Sequence, residues 1–322
     1  MGALVGRVAV ITGAGRGLGR AHALLFAREG AKVVVNDLGG DTQGGGFDHT
    51  PAQQTVADIT AMGGEAIANS DDVASWDGAK RLIEHAVETF GDLHVLVNNA
   101  GILRDRMVVN MTEGEWDQVV AVHLKGHFTP TRHTAAYWRA QEKAGREVRA
   151  SVVHTTSTSG LFANPGQANY DAAKSGIATL SQVLAKELGR YGVRSNAVAP
   201  AGRTRISLST PGIEDVIAAP AEREAFDAWD PANVSPMVAY LATADCPFNG
   251  ETFLVFGNLV QRVQSWMLAE SIVAERGWTL ASLAERAGEL ESTVPTVPGF
   301  WEYPVLVSDR VQGASADGGA KA

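Results

Sequence analysis

The sequence predicts an α/β protein built on an open, doubly wound parallel sheet. Three observations carry the prediction. The chain opens with a short apolar run that passes through a glycine-rich turn into a helical pattern. Apolar runs and helical patterns then alternate as far as about residue 257, as βαβ units require. The residues with chemical potential cluster where strand runs end, the edge at which open α/β sheets bind ligands. A chain of 322 residues, 45% apolar and 20% charged, exceeds the usual ~100–200 residues of one domain, but α/β folds often run longer as single units.

Val8 to Ile11 is an apolar run suited to a strand buried on both faces. Thr12-Gly13-Ala14-Gly15-Arg16-Gly17-Leu18-Gly19 follows, then a stripe of Leu18, Ala21 and Leu25 that stops at Gly30. Lys32 to Asn36 reads as a second strand, ending at Asp37. Glycines 13, 15, 17 and 19 let backbone N–H groups approach a pyrophosphate at the positive end of the helix. Asp37, 18 residues after Gly19, is placed to accept hydrogen bonds from an adenosine ribose. A tight turn without a ligand is the alternative, but strand, helix and acid together favour a dinucleotide. A carboxylate at that point repels a 2′-phosphate, which favours NAD over NADP. Arg16 could pair with such a phosphate, and Asp37 is weighed above it.

Residues 39–51 form a polar, glycine-rich insertion, read as a surface loop near the adenosine end. A helix over Gln53–Met62 and a strand over Glu65–Asn69 lead to Asp71-Asp72-Val73. Asp72 could meet an adenine amino group or cap the next helix. That helix covers Ala74–Phe90 and leads to a strand over His94–Val97, then Asn98-Asn99-Ala100-Gly101 at its carboxyl end. A long helix is expected over Glu115–Arg139, with His123 on its mostly apolar face, where a histidine is more often a core residue than a catalyst. A charged connection over Gly145–Arg149 precedes the strand over Ser151–Thr156, which delivers Ser157 to the same edge. Tyr170 opens a helix to about Arg190, and Val193–Ala199 is the next strand. Residues 201–230 lack periodicity and are a candidate lid. A helix over Pro231–Thr243 and a strand over Glu251–Phe256 close residues 1–257, the expected catalytic unit. Residues 258–312 are expected to form a helical extension, with amphipathic patterns at Leu259–Arg276 and Leu280–Leu290 and an aromatic stretch at Val294–Tyr303. Residues 313–322 read as a disordered tail.

Ser157 to Lys174 carries the chemistry. On a helix, Tyr170 and Lys174 lie one turn apart on one face. A cation beside the phenol is expected to lower its pKa below the ordinary ~10. Ser157 can return a hydroxyl to the same site, giving a base, its activator and a donor for a developing alkoxide. Alone, a tyrosine four residues before a lysine is a common helix-surface pattern; its context gives it weight. Ser159 is a second hydroxyl nearby, read as a turn cap.

Charge and composition exclude other classes. Lys and Arg total 27 against 36 Asp and Glu, a net charge of −9, which argues against nucleic acid and anionic membrane surfaces. Cys246 is the sole cysteine, so no intrachain disulfide forms, and it reads as a small buried residue. No apolar run nears the ~20 residues of a membrane span. The start lacks a signal-peptide architecture and the last residues, Ala-Lys-Ala, are not the peroxisomal address, so a cytoplasmic location is expected. The eight histidines are dispersed, with His22, His49 and His154 lacking partners at ligand spacing, and no metal site is expected.

Thr12–Gly19, Asn98–Gly101, Ser157, Tyr170 and Lys174, in this order, resemble the short-chain dehydrogenase/reductase family over roughly residues 5–257. The resemblance implies a Rossmann-like, seven-stranded sheet and hydride transfer with NAD. It implies Tyr170 as the base, Ser157 as the group that positions the carbonyl, and Lys174 as ribose ligand and activator. Further cofactor contacts implied are Arg16, Leu18, Asp72, Val73, Asn99, Ala100, Gly101, Pro200 and Thr204. Asn36–Asp41, Asn98–Arg106, Val122–Gly126 and Gly166–Tyr170 resemble the 3-hydroxyacyl-CoA dehydrogenase branch, typified by part of peroxisomal multifunctional enzyme type 2 and by bacterial hydroxysteroid and steroid side-chain β-oxidation enzymes. His123 stands where the wider family has a relay asparagine, and this branch shares the histidine. The implied substrate is a CoA thioester or a steroid, and the implied assembly a homodimer or homotetramer without hydratase or sterol-carrier modules. Arg104, Arg106, Lys125, Arg203 and Arg205 are candidates for CoA phosphates. A free hydroxysteroid dehydrogenase and a non-catalytic dinucleotide-sensing protein are the rival readings.

Overall fold

Seven parallel strands and one antiparallel edge strand make the sheet, in a structure that is a computed structural model and describes residues 2–290 apart from 210–212, 223, 267 and 269. The strands are β1 (Val8–Thr12), β2 (Lys32–Asn36), β3 (Ala66–Asn69), β4 (Val95–Asn98), β5 (Ala150–Thr155), β6 (Val193–Ala201), β7 (Thr252–Phe256) and β8 (Leu259–Val263). Their spatial order is β3-β2-β1-β4-β5-β6-β7-β8. The chain winds outward from β1 to β3, then returns to place β4 on the other side of β1. That reversal leaves a crevice at the carboxyl ends of β1 and β4, where doubly wound sheets take ligands.

The strands read as apolar runs because both faces are covered. Ala9 and Ile11 of β1 join one core with Ala23 and Phe26 of helix α1 (Gly17–Arg28), Ile59 of α2 (Thr50–Ala61) and Leu241 of the helix that precedes β7. Val8 and Val10 face the opposite core with Leu82 and Ile83 of α3 (Trp76–Phe90).

The helix expected over Glu115–Arg139 is three pieces. α4 (Glu113–Val120) starts earlier because Thr112 and Glu115 form a capping box. A π-helical turn, Ala121–Lys125, follows, then α5 (Gly126–Lys143) with Pro130 inside it. Widened turns of this kind gather at functional sites, and this one carries His123. Next come α6 (Thr158–Phe162), α7 (Ala168–Leu188), α8 (Arg205–Leu208), α9 (Ser235–Ala242) and α10 (Leu280–Arg286).

The stretch after Gly257 departs from expectation. Instead of an amphipathic helix from Leu259, the chain turns through Gly257-Asn258 and pairs as β8 against β7, Phe256 opposite Leu259. Gly257 has φ +52, the left-handed backbone that a two-residue hairpin turn needs. Its burial alternates along the strand, with period two. Residues 264–279 are irregular where described, and Leu280–Leu290 is helical, α10 running into a 3-10 turn. The Val294–Tyr303 stretch and the 313–322 tail lie outside the described residues. Among the described residues, no helix is long and apolar enough to cross a membrane.

Candidate active site

A cleft of about 350 Å3 opens at the crevice between β1 and β4. The nucleotide side is tied together by backbone contacts. Thr12 Oγ1 accepts hydrogen bonds from the amides of Asn99 at 2.9 Å and Ala100 at 3.1 Å, and Asn99 Nδ2 donates to Thr12 O at 3.0 Å. The Thr12–Gly19 turn and the Asn98–Gly101 run, distant in sequence, are therefore one wall. Gly13, Arg16, Gly17, Leu18, Asp37, Asp72, Val73, Asn99, Ala100, Gly101, Pro200 and Thr204 all border the cleft. Gly15 and Gly19 do not, and they shape the turn instead. The Gly15 amide donates to Asp37 Oδ2 at 2.8 Å. A Cβ on Gly19 would stand 2.2 Å from Gly13 O, so only glycine lets α1 start this close. Positive-φ glycines and the helix end leave this wall fitted to a pyrophosphate.

Asp37 keeps a carboxylate at the adenosine end, its Oδ1 accepting from the Gly39 amide at 2.7 Å. Arg16 is paired with Asp48 of the glycine-rich insertion, at 3.6 Å. Asp72 Oδ1 accepts from the Ala74 amide at 2.8 Å, while Ser75 is the residue that caps α3.

Ser157, Tyr170 and Lys174 come together on the opposite wall. Ser157 caps α6, its Oγ accepting from the Ser159 amide at 3.2 Å, so the serine expected to cap the turn is the one capped. Lys174 is almost fully buried and its Nζ donates to Thr155 O at 2.6 Å, 5.6 Å from the Tyr170 ring centroid. The electrostatics correct the expectation of a lowered phenol pKa. Burial pushes Tyr170 up to about 12; a hydrogen bond with Ser157 pulls it down, and the Asp105 and Asp171 carboxylates push it further up. Burial also pushes Lys174 down to about 7. In this chain desolvation is the largest influence on the phenol, and the Ser157 hydrogen bond is what opposes it.

His123 is buried on the π turn, edge-on to Tyr170 with centroids 5.1 Å apart. Its Nε2 lies 3.0 Å from the Ile102 amide and 2.8 Å from the Ile102 carbonyl, so a neutral ring accepts from one or donates to the other. Gly101 admits the ring: a Cβ there would sit 2.5 Å from His123 Cε1. A packed imidazole stands at the position where the resemblance implied a relay asparagine.

The substrate side holds contacts that the sequence did not disclose. Gln167 Nε2 donates to Asp105 Oδ2 at 2.8 Å and Gln167 Oε1 accepts from Asn164 at 2.9 Å. Asn169 Nδ2 donates to the carbonyls of Arg104 and Glu115. The Gly-Gln-Ala-Asn lead into Tyr170 was the available signal. Ile206, Ile213 and Trp229, from residues 201–230, also border the cleft. Of the cations considered for CoA phosphates, Arg203 is held by Asp227 and the Ile217 carbonyl, and Arg106 pairs with Glu115 at 3.0 Å. Arg205 lies at the adenosine end with Arg16, Asp37 and Asp41. Arg104 donates to Gln43 O at 2.8 Å, and Lys125 is exposed.

Residues 7–207 match the family described as short chain dehydrogenase. Hydroxyacyl-CoA dehydrogenase ChsB1 of Mycobacterium tuberculosis is 44% identical over 269 residues, covering 81% of this chain and 80% of that protein. Peroxisomal multifunctional enzyme type 2 of Drosophila melanogaster is 45% identical over 276 residues, covering 85% of this chain and 42% of that longer protein. A solved short chain dehydrogenase from Mycobacterium avium superposes with a TM-score of 0.81 at 48% identity, covering 92% of this chain and 99% of that one.

Proposed function

Because the chain belongs to the short-chain dehydrogenase family, we propose that it oxidises the secondary alcohol of a 3-hydroxyacyl-CoA to a ketone with NAD. It is an oxidoreductase of CH–OH groups and binds a nicotinamide dinucleotide, which supplies the hydride acceptor when bound. The observation that carries the reading is that Ser157, Tyr170 and Lys174 face the same cleft as the glycine turn.

Tyr170 takes the hydroxyl proton as the carbinol carbon gives up its hydride. Ser157 holds the oxygen, and its hydrogen bond strengthens as charge develops there. Lys174, once charged, opposes the burial that keeps the phenol protonated. Gly13, Gly17, Leu18 and the Asn99–Gly101 wall hold the pyrophosphate and nicotinamide ends, and Asp37 holds the adenosine ribose. NAD is preferred over NADP because Asp37 is negative and the Arg16 guanidinium is shared with Asp48. Residues 201–230 act as the lid. The single cysteine fits a cytoplasmic location, and the family resemblance favours a homodimer or homotetramer.

The substrate class rests on the hydroxyacyl-CoA dehydrogenase among the relatives. Arg104 and Lys125 remain as cations for the CoA phosphates, and replacing both by glutamine is expected to raise KM for a CoA thioester while sparing a short alcohol. A free hydroxysteroid is the second reading, favoured by Ile206, Ile213 and Trp229 along the cleft. A silent dinucleotide sensor would not need the three polar side chains intact. One screen of NADH formation across 3-hydroxyacyl-CoA chain lengths and hydroxysteroids tests all three. Turnover of the thioesters supports the proposal; turnover of steroids alone, or none at all, contradicts it.

A further inference from the structure

The glycine-rich insertion after β2 is anchored at both limbs and closed at its tip. On the outgoing limb the Gly39 amide donates to Asp37 Oδ1 at 2.7 Å, and on the returning limb Asp48 pairs with Arg16 of the glycine turn at 3.6 Å. A Cβ on Gly39 would collide with Asp48 O, so the two limbs pass directly against each other. At the tip the Asp41 amide donates to Gly45 O at 2.7 Å, while Asp41 Oδ1 accepts from the amides of Gln43 at 2.8 Å and Gly45 at 2.9 Å. Compact loops whose ends touch in this way are frequently functional.

The tip is fastened on the far side of the cleft. The Leu103 amide donates to Thr42 O at 2.9 Å, and Arg104 Nε donates to Gln43 O at 2.8 Å. A Cβ on Gly44 would lie 3.1 Å from Ile102 Cδ1, so the bare backbone there rests on that side chain. Ile102 and Leu103, both buried, directly follow the Asn98–Gly101 run. A closed ring results. It runs from Asp37 along the insertion to Leu103, back to Asn99, across to Thr12, and from Ala14 N to Asn36 O at 2.9 Å. Gly40, Thr42 and Gly44 border the cleft on one side of the ring, and Ile102 and Leu103 on the other.

We propose that Thr42–Gly44 is a clasp over the adenosine half of the dinucleotide, which enters and leaves when the bonds to Leu103 and Arg104 part. The clasp rests on the reading of the glycine turn and Asp37 as the dinucleotide site. Two hydrogen bonds at the rim and one apolar contact hold it. Such bonds are worth little net against water, so the ring opens on the timescale of turnover yet stays mostly shut. A preference of about ten to one for the closed ring slows entry about tenfold, because only the open fraction admits the cofactor. NADH leaves by the same opening, and release through a moving loop often limits turnover. The clasp acts at the adenosine end, away from residues 201–230.

Stopped-flow fluorescence of NADH with the full chain tests this, comparing the unaltered protein with a variant in which one glycine replaces Thr42–Gly44. Asp41 and Gly45 already meet at the base of the tip, so one residue bridges them. The association and dissociation rate constants are both expected to rise about tenfold, since a gate slows passage in each direction. Unchanged rates would overturn the clasp. Faster dissociation alone would overturn it too, because it marks Thr42–Gly44 as a contact of the bound cofactor and not a gate. Hydrogen exchange in the unaltered protein decides the matter even where the variant does not fold. Saturating NADH is expected to slow exchange of the Leu103 amide about tenfold, and equal exchange with and without NADH would overturn the clasp. Failure of the unaltered protein to bind NADH would instead overturn the dinucleotide reading, and the clasp with it.

Discussion

Tyr170 and Lys174 show how far neighbouring residues can be read from sequence. Their spacing put them on one helix face, and they are there, but spacing says nothing of burial, which sends the phenol up to about 12 and the ammonium down to about 7. Because the base must lose its proton, kcat/KM for oxidation is expected to rise with pH from about 7 to about 10. A flat profile would show that Tyr170 is not the titrating base. Asp37 was legible from its place after the second strand. Asp37→Asn removes the charge and leaves one acceptor oxygen where the carboxylate now takes the Gly15 amide on Oδ2 and the Gly39 amide on Oδ1. The ratio of kcat/KM for NAD over NADP is expected to fall about tenfold, or about 1.4 kcal/mol; an unchanged ratio would discount Asp37 as the discriminating group.

At the level of elements, the strands that feed the cleft were legible because β-branched apolar runs sit between a glycine turn and helical stripes. The π turn was not, since a widened turn leaves the helical pattern on both sides almost intact. Nor was β8: Leu259-Val260-Gln261-Arg262-Val263 fits either period over so short a run, and the Gly257-Asn258 turn was the decisive signal. The link between α6 and α7 contains Ala163 at φ +60, a left-handed backbone that costs an L-residue ~1–2 kcal/mol. Ala163→Gly is expected to raise thermal stability by up to about 1 kcal/mol, after the extra chain entropy of glycine is subtracted. A lower melting temperature would show that this link is not held as described.

Across the whole molecule, contacts between residues distant in sequence were the hidden part. His127 and His154 meet at 3.3 Å across 27 residues, and His22 meets Ser235 at 2.8 Å across 213 residues. These buried rings govern acid stability. His22 and His154 are pushed down to about 3 by burial, from 6.5, with Lys174 adding to it at His154; His123 and His127 are also held well below. The unfolded chain binds protons that the folded chain refuses, so their stabilisation is complete above 6.5 and drains away as pH falls toward 3. Each ring approaches a loss of about 1.4 kcal/mol per pH unit in that window. The melting temperature is expected to fall steadily from pH 7 to 5, and a constant value would contradict the burial of neutral rings. The central claim, that Tyr170 removes the proton of a 3-hydroxyacyl-CoA bound beside NAD, is tested most directly by Tyr170→Phe. NADH formation from the thioester is expected to drop by ~100-fold or more while NADH binding, read by fluorescence titration, is unchanged. Turnover at the level of the unaltered protein would contradict it.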